Sequence, residues 1–414
     1  MSDVKQLCRA CGTELIHDFA DLGPMPLANS YPKSLDDAKN QNSYPLHARV
    51  CSHCFLVQVE DSVPAEDIFS DYAYFSSYSP SWVEHARKFT EYARDRFDLG
   101  AESHVVEIAS NDGYLLQHFV AAGVPVRGVE PAANIAKVAE EKGIPTLNAF
   151  FGDETANAMV QDEGKADLIV GNNVLAHTPF IRDFVKGLKT LLKPEGVISI
   201  EFPHLLKLME EVQFDTIYHE HFSYLSLEAV ERLFAEFGLR LFDVQEVPTH
   251  GGSLRIHGCH RESDREECLG LIDVRTKEKA AGLDRIETYS DFFPKIEHIR
   301  KQVIGFLEKA KQDGKKVVAY GAAAKGSTLL NYFDVGRDDI DYAVDANPHK
   351  QDHFMPGSML DIRAPQAIRE TKPDYILILP WNLKREITEQ LSFIREWDGK
   401  CYAPIPELHE VPWT

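Results

Sequence analysis

Val105-Val106-Glu107-Ile108-Ala109-Ser110-Asn111-Asp112-Gly113 decides the fold. The apolar run reads as a strand and the small residues as a turn that opens a helix. Small residues let backbone amides approach a ligand, and a helix N-terminus favours electron-rich groups. About twenty residues on, Gly128-Val129-Glu130-Pro131 ends a second strand with an acid, a position that commonly binds ribose hydroxyls. Asp167-Leu168-Ile169-Val170-Gly171-Asn172-Asn173 is a third strand ending in polar residues. Leu192-Lys193-Pro194-Glu195-Gly196 reads as a turn before a fourth. The runs His104–Ala109, Val124–Val129, Ala166–Val170 and Gly196–Glu201 alternate with helical patterns, which implies a parallel sheet covered by helices on both faces. Leu239–Val247 and Ser253–His260 are expected to close that sheet as an antiparallel pair.

Two further zones flank this one. Residues 1–68 hold short alternating strands and turn-prone dipeptides, too little for a sturdy core without a staple. After a charged helical connector from Arg261 to Arg300, the chain alternates again. It runs through a helix at Val303–Gln312, strands at Lys316–Tyr320, near Asp341–Val344 and at Asp374–Leu379, and a loop at Gly321–Lys325. With 414 residues, two or three domains are expected: 1–68, 69–260 and 261–414.

Composition excludes several functions. The net charge of -21, from 44 basic and 65 acidic residues, opposes nucleic acid and anionic membranes as partners. No run of eighteen apolar residues is present, and MSDVKQLCRACG lacks an apolar secretory core, so a cytoplasmic location is expected. An odd count of seven cysteines speaks against a disulfide framework.

Four cysteines are explained by metal. Cys8-Arg9-Ala10-Cys11 and Cys51-Ser52-His53-Cys54 are two C-x2-C knuckles, and zinc prefers four tetrahedral ligands gripped from tight turns. Four thiolates leave no open position, so this zinc is expected to be structural. The gap between the pairs is longer than in common zinc ribbons, and a loop must be accommodated.

Three other clusters carry chemistry. Tyr218-His219-Glu220-His221-Phe222 lies beyond the fourth strand's end, where ligands sit in doubly wound sheets, and His177 follows Asn172-Asn173 toward the same crevice. His219 and His221 could also bind a metal, although the spacing is not H-E-x-x-H. Tyr72-Ala73-Tyr74-Phe75-Ser76-Ser77-Tyr78 suits either a packing hinge or a lid over a cofactor. Tyr320-Gly321-Ala322-Ala323-Ala324-Lys325-Gly326-Ser327 is a strand, small-residue loop and helix that suits phosphate, with Lys325 and Lys350 to neutralise it. It lacks G-x-G-x-x-G, which favours a nucleotide-sugar platform over an independent NAD site.

The first constellation resembles the class I S-adenosylmethionine (SAM)-dependent methyltransferases. They carry an acidic then Gly-rich first loop, an acid after the second strand and a late L-x-P-G-G turn. The match departs from their pattern where Ala109 and Asn111 stand for the usual glycines. The whole chain more closely resembles the three-domain sugar C-methyltransferases of deoxysugar biosynthesis. The matching motifs are both cysteine pairs, Y-x-Y-x-S-S, VEI-x-x-NDG, Y-x-EHF, P-x-HGG at Pro248–Gly252, YGA-x-AK at Tyr320–Lys325 and D-x-N-P-x-K-Q at Asp345–Gln351. The resemblance implies an α/β fold. It would comprise a class I methyltransferase Rossmann-like core, a small N-terminal zinc-binding domain and a second, C-terminal Rossmann-like domain that helps hold a nucleotide-sugar.

It also implies residue roles. Glu107, Asn111, Asp112, Gly113, Glu130, Pro131, Asn172, Asn173 and Ser77 would bind SAM; Lys325, Lys350, His250 and Tyr74 would bind substrate; Cys8, Cys11, Cys51 and Cys54 would bind zinc. The substrate would be a dTDP- or GDP-linked 4-keto sugar, methylated at C3 by a chain acting as a monomer. His221 is the expected general base, because histidine titrates near working pH. Glu220 would orient or polarise it, and Tyr218 and Tyr72 with His177 would stabilise the developing oxyanion. Sequence alone does not fix which side chain is the base. An O- or N-methyltransferase acting on another small metabolite would need no carbon-acid base. A zinc-knuckle binding module with a SAM-free core, or an oxidoreductase using the C-terminal unit, would differ in binding no SAM or in binding NAD.

Overall fold

The computed structural model describes residues 6–64 and 75–413. Packing groups the chain into two compact units, each assembled from separated segments: Met1–Ile16, Cys51–Leu205 and Phe222–Arg285 in one, His17–Val50, Leu206–His221 and Ile286–Thr414 in the other.

The first unit is built on a seven-stranded sheet. Its order is Leu239–Val247, Ser253–His260, Leu192–Pro203, Ala166–Asn172, Val105–Ile108, Val126–Val129 and Thr146–Leu147. The last five are parallel, and Ser253–His260 runs antiparallel to both its neighbours. Strand periodicity sends Val106, Ile108, Ile169, Ile198 and Ile200 into one core cluster and Val105, Leu168, Val170 and Val197 into the other. Both faces are covered, which is why these strands read as unbroken apolar runs. Each such fully buried side chain contributes about 1.5–3 kcal/mol.

Two helices illustrate the covering layers. Pro80–Phe97 starts where the Ser79 hydroxyl accepts the Trp82 N–H, has proline in its first turn, and ends at Asp98 in left-handed backbone. It buries Ala86, Phe89, Thr90 and Ala93 at helical spacing. Ile181–Leu191 buries Ile181, Phe184, Val185, Leu188 and Leu191 on the opposite layer. The zinc-knuckle residues Cys8, Ala10, Leu15, Cys51, Cys54 and Leu56 join the same apolar cluster as that second helix.

The loop after Val105–Ile108 explains the unusual residues in its motif. Ala109 and Asn111 adopt left-handed backbone at φ +53° and +50°, and Gly113 lies at +78°. The two non-glycine positions cost roughly 1–2 kcal/mol each. At Gly113 an added Cβ would stand 2.1 Å from Ile144 Cδ1, so a side chain there would force Ile144 to move as well as strain the backbone.

One element departs from expectation. Leu192–Gly196, read as a turn, is a bulged run inside the strand Leu192–Pro203. Pairing jumps from Ala166 with Leu192 to Leu168 with Val197, so residues 193–196 bow out opposite Asp167, whose carboxylate accepts the Lys193 ammonium at 2.7 Å.

The second unit carries a six-stranded sheet, ordered Ile362–Arg363, Ala343–Val344, Val317–Tyr320, Tyr375–Ile378, Lys400–Ala403 and His409–Glu410, antiparallel only at the last pairing. The chain between the two cysteine pairs belongs here, as an antiparallel pair of strands, His17–Met25 and Tyr44–Val50. Phe19 from that pair stacks on Phe292, ring centroids 4.5 Å apart, at the start of the helix Phe292–Gln312. The expected connector is helical, at Leu269–Ala281, Glu287–Ser290 and Phe292–Gln312. Among the described residues no helix is long and apolar enough to cross a membrane.

Candidate active site

The first unit gathers three acidic side chains, Glu107, Asp112 and Glu130, at the carboxyl ends of its parallel strands. Glu107 is fully buried, and burial pushes its carboxyl well above the usual range. A Tyr114 hydrogen bond opposes that shift, and the charges of Glu130 and Asp112 add to it. Glu130 accepts the backbone N–H of Asn111 at 3.0 Å and of Ala132 at 2.9 Å; burial raises its pKa against these two donors. Asp112 accepts from the Lys142 ammonium at 3.0 Å and from the Ser77 hydroxyl, while the Ser76 N–H donates to Asn111 Oδ1 at 2.9 Å. The carbonyls of Glu130 and Pro131 both accept from the Asn148 amide. Asn172 donates to the Tyr114 hydroxyl at 3.1 Å, and Asn173 sits at φ +55° with its N–H on the Glu201 carbonyl. Three buried carboxyls around a loop in left-handed backbone fit a ligand bearing an ammonium, a sulfonium and a ribose, which is the chemistry of SAM.

Beside these acids lies a cluster that the sequence did not single out. Glu201, fully buried, accepts from His85 Nε2 and Arg255 Nη2, each at 2.8 Å, and from the Thr249 hydroxyl at 2.7 Å. Burial alone would raise its pKa, but the His85 hydrogen bond and the Arg255 charge win and hold it at about 2. Trp82 stacks on His85 at 4.9 Å and on Tyr114 at 5.9 Å, and meets His250 edge-on at 5.2 Å. His250 is in left-handed backbone at φ +56°. His177 closes the short turn Leu175–His177 and is half-buried.

The cysteine knuckles converge. The four sulfurs of Cys8, Cys11, Cys51 and Cys54 lie within 4.8 Å of one another, with Cys8 to Cys54 and Cys11 to Cys51 at 3.5 Å. Zinc–thiolate bonds of about 2.3 Å require tetrahedron edges close to these values. Gln58 Nε2 and the His53 N–H point at Cys8 and Cys51, the outer contacts that favour thiolate. This is the sole group of three or more metal-type ligands among the described residues, so His219 and His221 form no metal cluster there.

The second unit holds the Tyr218–His221 segment. His221 Nδ1 is 2.9 Å from the Thr216 carbonyl, which can only accept, so Nδ1 carries the hydrogen. Nε2 is then the acceptor, and the Tyr218 hydroxyl donates to it at 2.8 Å. At Nδ1 the ring meets a backbone carbonyl, and buried Glu220, the neighbouring residue expected to orient or polarise it, accepts from Asn29 Nδ2 at 2.7 Å. His219 is buried against the carbonyls of Tyr44 and Pro45 at 3.2 Å, and burial lowers its pKa. Lys350 donates to the Ala322 carbonyl at 2.8 Å, lies over the Tyr31 ring and is 3.8 Å from Asp345, which accepts the Ala322 N–H. Lys325, in the first turn of the helix Ala324–Phe333, lies 4.5 Å over the Trp381 ring. Gly321, at φ +92°, lets the loop pass Pro380, where a Cβ would stand 2.4 Å away. Tyr72 and Tyr74 lie outside the described residues.

A relative decides the family: C-methyltransferase NovU of Streptomyces niveus is 35% identical over 400 residues, 97% of this chain and 95% of its own. This chain belongs to the C-methyltransferases. Three family descriptions match this C-methyltransferase along its length: "Putative zinc binding domain" at 8–69, "Methyltransferase domain" at 82–244 and "C-methyltransferase C-terminal domain" at 248–406. Among solved structures it is similar to magnesium protoporphyrin IX methyltransferase from Synechocystis PCC 6803 with bound SAM. That protein is 14% identical, covering 43% of this chain and 79% of that one at TM-score 0.33. The YcgJ protein of Bacillus subtilis is also 14% identical, covering 44% and 100% at TM-score 0.34. The C-methyltransferase is SAM-dependent, with the expected α/β core and a structural zinc at its four clustered cysteines.

Proposed function

We propose that this enzyme deprotonates C3 of a dTDP- or GDP-linked 4-keto-deoxysugar and methylates that carbon. The observation that carries the reading is the ordered His221 ring. Its hydrogen is fixed on Nδ1 by Thr216, which leaves the Nε2 lone pair as the base. A hydrogen beside a ketone is acidic because the carbanion delocalises as an enolate, and a histidine near neutral pKa is matched to remove it.

His221 Nε2 takes the C3 proton, and the C–H pair moves into the enolate. In the resting state Nε2 is engaged by Tyr218, so substrate exchanges that hydrogen bond and frees the phenol to donate to the ketone oxygen. Tyr72 and His177 add donors to the sugar oxygens. Glu220, neighbouring His221 in the chain and held by Asn29, contributes negative charge that favours the imidazolium. SAM, when bound, would supply the electrophilic methyl group that the nucleophilic enolate carbon C3 takes, leaving S-adenosylhomocysteine. Glu107, Asn111, Asp112, Gly113, Glu130, Pro131, Asn172, Asn173 and Ser77 serve that cofactor. Lys325 and Lys350 neutralise the pyrophosphate, with His250 and Tyr74 on the sugar.

In this reading residues 1–68 are the zinc-binding part, 69–260 the SAM-dependent part and 261–414 the nucleotide-sugar support. The monomer works in the cytoplasm, where thiols stay reduced. The test is mass spectrometry of reactions with SAM and a panel of nucleotide-linked 4-keto sugars. A methylated product with deuterium lost from C3 supports the reading. SAM binding without any mass gain transfers it to O- or N-methylation of another metabolite.

A further inference from the structure

The turn that orients His221 is itself pinned from the C-terminal sheet. Phe214–Thr216 is a single short turn, and its last carbonyl fixes the Nδ1 hydrogen of His221. One residue before that carbonyl, Asp215 is fully buried, and its Oδ2 accepts the indole N–H of Trp381 at 2.7 Å. One residue after it, the Ile217 carbonyl accepts the Thr328 hydroxyl at 3.0 Å. Phe214 packs on Phe333 at 5.4 Å from the same helix as Thr328. Trp381 follows the strand Tyr375–Ile378, is itself buried, and carries Lys325 over its ring at 4.5 Å, whose ammonium also reaches Asn382 Oδ1 at 3.1 Å.

A turn this short has little rigidity of its own, because it closes few backbone hydrogen bonds. Its carbonyl direction is therefore set by what grips the residues on either side. A buried carboxyl-to-indole bond is a strong and directional grip, since leaving either partner unmade in the interior is costly. We infer that Asp215 and Trp381 are positioning residues that hold the Thr216 carbonyl on His221 Nδ1 and so keep the base in its productive tautomer. The inference rests on the reading of His221 as the base.

Lys325 then has a place in the same arrangement. Its ammonium lies over the face of the indole, so an anionic group at Lys325 meets the element that fixes the base through one ring. The positioning residues touch neither substrate nor SAM in this scheme; they act through Thr216.

The experiment uses the full-length protein and three changes: Trp381→Phe, Asp215→Leu and Asp215→Asn. Long-range 1H–15N spectra report which ring nitrogen of His221 is protonated, with the signal assigned by comparison with His221→Asn. Trp381→Phe keeps a ring under Lys325 but removes the indole donor. It is expected to give mixed tautomers at His221 and about a tenfold lower kcat. The KM for the keto-sugar should stay within about twofold, and SAM affinity should be unchanged. Asp215→Leu is expected to do the same, and Asp215→Asn, which still offers an oxygen to the indole, to restore most of kcat and the single tautomer. Wild-type kcat and an unmixed His221 tautomer in Trp381→Phe overturn the inference. Should that variant fail to fold, equal behaviour of Asp215→Leu and Asp215→Asn overturns it instead. Full turnover in His221→Asn is the separate outcome that removes the base assignment itself.

Discussion

His221 Nδ1 lies 2.9 Å from the carbonyl oxygen of Thr216, five residues earlier in the chain. A backbone carbonyl thus does here what a carboxylate does in many catalytic imidazole pairs, fixing which nitrogen carries the hydrogen. Replacing His221 with Asn removes the proposed Nε2 base. It is expected to lower turnover by about 10²–10⁴-fold, the usual worth of a general base, with the SAM dissociation constant unchanged. Single-turnover kinetics beside calorimetric SAM binding separates the two; parallel loss of both would refute the role.

The zinc site predicts a stoichiometry. One tetrathiolate cluster is present among the described residues, so the purified protein should carry about one zinc per chain. Changing Cys8 and Cys11 together to Ser removes half the ligand set. Elemental analysis should then fall to background, and limited proteolysis should open the chain near the knuckles, because their residues share the core with the helix Ile181–Leu191. Unaltered zinc content would disprove the ligand set.

Much of this is legible in the sequence, and the reasons differ by residue. The strands Leu239–Val247 and Ser253–His260 match the expectation to the residue, because alternation and flanking turns bound them. Ala109 and Asn111 stand out as departures from a glycine pattern, and the structure shows both in the left-handed backbone glycine would take. The zinc ligands are marked by spacing alone. Other features depend on long-range contacts that no local pattern encodes. The bulge at 193–196 shows only in its pairing with the neighbouring strand, where Asp167 lies opposite and meets Lys193. Glu201, His85 and Arg255 come from a strand, a helix and another strand, and no spacing connects them. Asn29 lies between the cysteine pairs, yet it meets Glu220, 191 positions away.

The Glu201 cluster should be a point of fragility. Glu201 is fully buried, and Arg255 is its permanent cation. Arg255→Met leaves the buried carboxylate with only His85 and the neutral Thr249 hydroxyl, which is expected to cost about 3–5 kcal/mol in urea unfolding. Glu201→Leu together with Arg255→Met removes both charges and should recover most of that loss. A single variant as stable as wild type would show that the pair is not the anchor of the sheet's carboxyl edge.

Asp215 gives stability a pH signature. Burial, opposed by the Lys325 charge and the Trp381 hydrogen bond, pushes its carboxyl from 3.8 up to about 7. Between those values the native state keeps a proton that the unfolded chain has released, so the contribution is complete below about 4 and is lost as pH rises through 7. A rise of that size corresponds to on the order of 4 kcal/mol. Asp215→Asn cannot titrate, so its stability relative to wild type should climb between pH 4 and 8. Urea unfolding of both proteins across that range reads the difference directly, and a flat difference would contradict a buried, titrating Asp215.

Glu130 links the second strand to the loop after the first, where we place SAM. Its two oxygens accept the N–H groups of Asn111 and Ala132, so one side chain shapes the loop after the first strand and the turn after its own. Hydrogen bonds to a charged group are worth about 1.5–3 kcal/mol. Glu130→Ala removes them and any bond the same carboxylate makes to ribose. SAM affinity by calorimetry should therefore fall roughly tenfold to a hundredfold, since about 1.4 kcal/mol is a factor of ten. Glu130→Gln keeps one oxygen acceptor for the Asn111 N–H and should lose less. Circular dichroism should show both variants folded, because Glu130 sits outside the two apolar clusters of the sheet. SAM binding equal to wild type in the alanine variant would place the ribose elsewhere, and Asp112, held by Lys142 and Ser77 on the adjoining loop, would be the next acid to change.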